Sequence, residues 1–574
     1  MDRRIVAEMG RQKACKAIER RSTKIIGEAT IQKFRTGREN RREMGWASDE
    51  FESLRDSFDI PCRVHRHQRP LMEESGDDYG GIGIIKFFKG KNIFITGATG
   101  FLGKVLVEKI LRSTSVGKIY VLIRAKSKEA ALDRLTKEII NSELFKCLQE
   151  KHGKSYASFV REKLIPIAGN ISEPNLGMDN NSVSLIMKEV DVIIESAAST
   201  NINDRYDLLI DSNANAPQRL MRFAKSCKKL KLFAHISTAF VHGKREGLIL
   251  EEPLTMGEDM RNKEDENSLC SFPRLDLGDE LWLLMRSSQD RSVDVTKYLK
   301  KLGLERAKLY GWHNAYQMTK AMGEMVINEI KGDVPTLIIR PSIIESCYQD
   351  PFPGWIEGYR VADPVILSFG KGQLPAYLAD PQTTLDIVPM DMVTNTIIAA
   401  IAKHGNSEKP ESKVYHVASG DNNPLRIGHL FDIIYDYFVS RPLVNSKSES
   451  NEIRRIKFFN NMNDLSEYTQ RKIWERHQLR NDCAVDTDDK AVEKHCKARV
   501  AYAEQLCKIY EFTGFMKSRL HTGNTQKLLR EMSKEELLNF EIDVTKIDWR
   551  KYLQEVHIPG LIKHVLNHHN NMSS

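Results

Sequence analysis

The sequence has no apolar run approaching the roughly 18–20 residues that cross a bilayer. "TIIAAIA" (396–402) is among its apolar stretches and reads as a core helix. No hydrophobic segment of secretory type follows Met1. The nine cysteines form no Cys-x-x-Cys pair, which fits a reducing compartment better than a disulfide framework. Cys62-x-x-His65-x-His67 has some look of a metal ligand set, but no second pair matches its spacing; it reads as a chance cluster, and no metal site is expected. There is no internal repeat and no long low-complexity tract. Lys and Arg are spread along the chain without a nucleic-acid module, so a net charge of +8 over 574 residues points to phosphorylated or acidic ligands and not to nucleic acid. Asp2, Glu8, Glu19 and Glu28 interrupt the basic N-terminus, which fits an acid-poor transit peptide badly.

Residues 1–82 carry little periodicity and read as a partly disordered extension. From residue 83 short β-branched runs alternate with helical stretches. The runs are "NIFITG" (92–97), "KIYVLIR" (118–124), "LIPIAGN" (164–170), "DVIIESAA" (191–198), "KLFAHIST" (231–238) and "TLIIRPS" (336–342). Such alternation predicts an α/β fold with a doubly wound, Rossmann-type parallel sheet, covered on both faces because its strands are apolar throughout. The alternation stops near residue 420. "SRPLVNSKSESNEIRR" (440–455) reads as a linker, and 456–565 as a smaller, mainly helical C-terminal domain, dividing the chain at 83–440 and 441–574.

"TGATGFLG" places Gly97, Gly100 and Gly103 between the first run and a helix. That is the context in which glycines admit a tight turn, a pyrophosphate and close helix packing. The spacing is that of extended short-chain dehydrogenases. An acid after the second strand would hold a ribose diol; this chain has Arg124, with Lys126 beyond, which favours the 2′-phosphate of NADPH. In "NAYQMTK" (314–320) Tyr316 and Lys320 share a helix face. The ammonium is expected to lower the phenol's pKa, so that the phenol protonates a carbonyl while hydride attacks carbon. "HISTAFVHG" offers Thr238 as the carbonyl-binding hydroxyl, with Ser237 as runner-up. Asn213 is read at the start of the preceding helix, either holding a water that relays protons to Lys320 or capping the helix.

With these residues the chain resembles the plant, male-sterility-type branch of alcohol-forming fatty acyl-CoA reductases. The resemblance spans about 85–560 and rests on "GKNIFITGATGFLGKVLVEKILR", "STNINDRYD", "STAFVHGKREG", "YGWHNAYQMTKAMGEMV", "IIRPSIIES", "PFPGWIEGYRVADP" and "IDWRKYLQEVHIPGL". It implies NADPH-dependent reduction of long-chain acyl-CoA or acyl-carrier-protein thioesters to primary alcohols for wax, suberin or pollen-wall lipid. It carries Tyr316, Lys320 and Thr238 as catalytic. The expected cofactor contacts are the three glycines, Thr99, Phe101, Leu102, Arg124, Lys126, Asn170, Ile171, Ala197 and Pro341, together with Tyr316 and Lys320. The family usually has Asp where this chain has Asn170, so weaker discrimination of the adenine amino group is expected. The family also suggests an acyl tunnel covered by the C-terminal domain, but residues 1–82 match it too poorly to transfer a location; a plastid and a cytosolic or ER-surface address are both kept, and the lack of a spanning run predicts a soluble or peripherally membrane-bound protein. A sugar-nucleotide epimerase or dehydratase shares the glycine turn and the Tyr/Lys pair, but Arg124 and the C-terminal domain argue against it. A non-catalytic NADPH-binding scaffold would not need Tyr316, Lys320 and Thr238 together.

Overall fold

The computed structural model describes residues 80–260, 274–287, 294–407, 411–443, 453–481 and 489–566. The Cys62–His67 stretch and nearly all of 1–82 lie outside them. All six predicted runs form strands of one parallel sheet: β1 Ile93–Thr96, β2 Ile119–Arg124, β3 Leu164–Gly169, β4 Val192–Glu195, β5 Leu232–Ile236 and β6 Thr336–Pro341. A seventh, β7 Ser412–Val417, pairs with β6 at the edge and was not among the predicted runs. Its polar Lys413 and His416 break the apolar pattern that marks the other six. The order is β7-β6-β5-β4-β1-β2-β3, so the chain reverses direction between β1 and β4. In such sheets ligands bind beyond the carboxyl ends of the strands at that reversal.

Side chains of the strands alternate between two apolar clusters, as the pleat demands. Ile93, Ile95, Val121, Ile194, Ala234, Leu337 and Ile339 face one layer, which includes Val105 and Leu106 of α1 (Phe101–Ser113) and Ile397 and Ile401 of α3 (Met390–Gly405). Phe94, Tyr120, Ile193 and Phe233 face the other. That layer holds Leu220 and Met221 of the helix Ala216–Ala224, and Ile327 of α2 (Ala315–Ile330).

Residues after 453 are mainly helical, with α4 (Met462–Asn481) and α5 (Asp489–Gly514) the longest elements. Tyr552, Leu553, Ile558 and Leu561 join the same apolar cluster as α1 and α3. Two short strand pairs also tie early to late chain, Ala376–Leu378 with Lys457–Phe459 and Gly247–Ile249 with Ser518–Leu520. The Glu536 carboxylate accepts from the amides of Ile82, Gly83 and Ile84 at 3.0, 2.7 and 3.0 Å, at the head of the helix Ile84–Phe88.

Candidate active site

The glycine turn sits at the sheet reversal. Gly97 has φ +74°, and a Cβ there would lie 2.7 Å from the amide nitrogen of Ala197, just past β4. A Cβ on Gly103 would lie 2.2 Å from the Gly97 carbonyl oxygen, so α1 reaches the turn only with glycine in its first residues. Gly100, exposed, precedes α1 with no side-chain cap and no acid in the first turn. The first amides of α1 are therefore left for an anion, and a dinucleotide pyrophosphate fits there. Thr99, Phe101 and Leu102 are partly exposed along this turn, and the Phe101 ring stacks on Trp355 with centroids 5.5 Å apart. The amide of Ala197 donates to Thr96 Oγ1.

Arg124 is exposed at the end of β2, in register with Gly169 of β3, so it neighbours the Asn170 turn; Lys126 is exposed beyond it. Asn170 donates to Glu173 Oε1 and accepts from the Ser172 amide, which holds its side chain in its own turn. Ile171 is half-buried and its carbonyl accepts from Arg219, while Pro341 is buried at the end of β6.

Asn314 sets the phase of α2. Its side chain accepts from the Gln317 amide at 3.0 Å, so the helix begins at Ala315 and Tyr316 lies in its first turn. One turn on, the buried Lys320 donates to the Ile236 carbonyl at 2.9 Å, at the end of β5. Thr238, two residues further, stands near enough to the Tyr316 phenol to offset part of the upward push that burial gives it. Ser237 is buried beside it with its hydroxyl unpartnered, and its amide donates to Ile339. The structure thus brings Tyr316, Thr238 and Lys320 together.

Two expectations are corrected. Asn213 is not at a helix start and caps nothing. The helix begins at Tyr206, and Asn213 falls in a π-helical stretch, Asp211–Asn215, where an extra residue is accommodated. Its amide bonds Ser199 and Thr319, the residue before Lys320. Nor is the phenol lowered by Lys320. Burial pushes Tyr316 up to about 12, against a smaller lowering from Thr238. Lys320 itself is lowered by burial, against the upward pull of Glu195 and Glu324. The ammonium is committed to the Ile236 carbonyl, which is why sharing a helix face does not tune the phenol.

The carboxylates near Lys320 escaped the sequence reading. Glu195 ends β4 and is bonded by His235 Nδ1, its register neighbour on β5, both buried. Glu324, one turn beyond Lys320, is gripped by Arg340 of β6 at 2.6–3.1 Å, and Arg340 also touches His416 of β7. This buried pair fixes α2 against the sheet. The signal was available: a charged residue closing an otherwise apolar buried strand, as Glu195 does, needs a partner.

Both parts of the chain match the male sterility protein family, over residues 95–397 and again over 493–568. The chain is 48% identical over 496 residues to the Arabidopsis thaliana protein named fatty acyl-CoA reductase 2, chloroplastic, covering 85% of this chain and 80% of that one. It is 36% identical to the alcohol-forming fatty acyl-CoA reductase of Simmondsia chinensis, covering 86% and 100%. Among solved structures, the terminal R domain from the myxalamid PKS-NRPS pathway superposes with a TM-score of 0.51 at 15% identity, over 83% of this chain and 92% of that one, a likeness of fold.

Proposed function

The chain belongs to the male sterility family of fatty acyl-CoA reductases, and we propose that it reduces long-chain acyl-CoA or acyl-carrier-protein thioesters to primary alcohols with NADPH. The observation that carries the mechanism is the approach of Thr238 to the Tyr316 phenol with Lys320 one turn away, at the carboxyl edge of the sheet that also holds the glycine turn. A cofactor bound at the glycine turn would supply one hydride to the thioester carbon in the first round, and a second cofactor one hydride to the aldehyde carbon in the next. Thr238 and Tyr316 donate hydrogen bonds to the acyl oxygen as it gains negative charge. They hold it until the thiol leaves. In the second round Tyr316 hands its proton to the aldehyde oxygen, giving the alcohol. Lys320 stays cationic beside the Glu195 and Glu324 carboxylates and holds the nicotinamide ribose. Asn213 acts through Thr319 to steady the turn that carries Lys320.

NADPH is proposed over NADH because Arg124 and Lys126 stand exposed at the end of the second strand, where a guanidinium binds a 2′-phosphate in bidentate fashion. Among the described residues no helix is long and apolar enough to cross a membrane, and membrane contact is proposed as peripheral. The chloroplastic name of the Arabidopsis relative favours a plastid address over the ER surface, with products for wax, suberin or pollen wall. The test is incubation of purified protein with NADPH and a series of acyl-CoA and acyl-carrier-protein substrates, with alcohols resolved by gas chromatography. Oxidation of NADPH with neither alcohol nor aldehyde formed would end the proposal.

A further inference from the structure

Three groups from distant parts of the chain converge outside the glycine turn and the Tyr316–Lys320 pair. Glu345 closes the short strand Ile343–Glu345 after β6, Asp363 opens the helix Asp363–Gly370, and His557 lies in the C-terminal segment Tyr552–His557. All three are at most 1% exposed, and one ligand atom from each lies within 4.8 Å of the others. His557 Nε2 is 3.1 Å from Asp363 Oδ1 and 3.8 Å from Glu345 Oε2.

The protons here follow by elimination. Tyr552 donates its hydroxyl proton to the Ser346 carbonyl at 2.8 Å. The contact of 3.2 Å between the Ser346 and Tyr552 hydroxyls therefore has Ser346 as donor. With its own proton spent, Ser346 Oγ accepts from His557 Nδ1 at 3.1 Å. His557 Nε2 then faces the oxygens of two buried carboxyl groups, Asp363 and Glu345. Nε2, Asp363 Oδ1 and both Glu345 oxygens lack a hydrogen bond of ordinary geometry, despite the close approach. Buried polar atoms do not converge without partners unless something bridges them. Arg360 supplies one charge nearby, against two carboxylates. A proton serves one pair of atoms, whereas a metal ion serves all of them.

We propose that Glu345, Asp363 and His557 bind one divalent cation, and that the occupant is zinc. Two ligands about 2.1 Å from a tetrahedral zinc stand about 3.4 Å apart, a value the observed 3.1 and 3.8 Å bracket. A nitrogen ligand in a small, dry site suits zinc, whereas magnesium and calcium seek six or more oxygens and keep waters. Asp363 Oδ2 is taken by the Arg360 amide at 2.6 Å, which turns Oδ1 inward. The Ser346 bond to Nδ1 is the outer contact that orients a ligating histidine. The ion ties the turn after β6 to the C-terminal segment and serves stability, not hydride transfer. The inference is independent of the reductase reading.

The test uses the full chain carrying a tag without histidine, produced with added zinc and purified without chelator. Elemental analysis is expected to find one zinc per chain in the wild type, and Glu345→Gln and His557→Gln are each expected to lose it. A strong chelator should lower the melting temperature of the wild type, and zinc should restore it. Because nine cysteines offer rival ligands, cobalt-substituted wild type should show d–d bands without a thiolate charge-transfer band. If the variants do not fold, the cobalt spectrum and the chelator shift of the wild type decide. Metal-free wild type with unchanged melting, zinc retained by both variants, or a thiolate band would each overturn the proposal.

Discussion

Burial pulls Tyr316 and Lys320 in opposite directions, and this fixes which of them limits activity at high pH. The phenol is pushed up to about 12, while the ammonium is lowered from its usual value. As pH rises Lys320 loses its proton first, so the alkaline limb of the kcat profile should report Lys320. Lys320→Arg should carry that limb to higher pH at reduced rate, because guanidinium stays charged. Glu195→Gln removes a carboxylate that favours the ammonium, so its limb should move to lower pH. A limb unmoved in both variants assigns it to another group. Tyr316→Phe removes one hydroxyl and leaves the fold, so NADPH should still bind while alcohol formation falls about 10²–10⁴-fold, the usual share of general acid catalysis. Turnover within about threefold of wild type would remove Tyr316 from the mechanism. Arg124→Ala should raise KM for NADPH well above any change for NADH, since only NADPH carries the 2′-phosphate that a guanidinium grips. Equal changes for both cofactors would deny Arg124 that contact.

Between elements, the decisive approach is that of α2 to the helical run that begins at Tyr206. A Cβ added at Gly323 would lie 2.2 Å from the Asn213 carbonyl oxygen, which is backbone and cannot swing aside. Gly323→Ala should therefore cost about 1–3 kcal/mol, as overpacking does, and should move the helix that carries Tyr316 and Lys320. Thermal melting and kcat should fall together; a wild-type melting curve would show that the helices separate freely. The same contact shows what a sequence can and cannot yield. "NIFITG" and "TLIIRPS" announce buried strands because apolar and β-branched residues fill Ile93–Thr96 and Thr336–Ile339, and the glycine turn announces itself because only glycine fits there. β7 was hidden because an edge strand tolerates Lys413 and His416. The π-helical stretch at Asn213 was hidden because one accommodated residue leaves no mark on helical periodicity. The pairing of Glu195 with His235 was hidden for another reason: they belong to separate strands, and only their register makes them neighbours.

For the molecule as a whole, the question is whether residues 83–440 stand alone. Tyr552, Leu553, Ile558 and Leu561 fill the same apolar layer as α1 and α3, so their loss would open that layer to water. A fragment of 83–440 is expected to be insoluble or to bind a hydrophobic dye, as exposed apolar surface does. A sharp melting transition for the fragment would instead support an independent reductase domain. The Glu536 contacts extend the point to how the protein is made. Ile82 and its capping carboxylate are 454 residues apart in the chain. At roughly 5–20 residues per second, a ribosome needs between about 20 and 90 seconds to supply that partner. Until then the helix Ile84–Phe88 waits without its carboxylate, and a stop codon that spares the whole sheet but precedes Glu536 leaves a newborn chain in which those three amides never meet it.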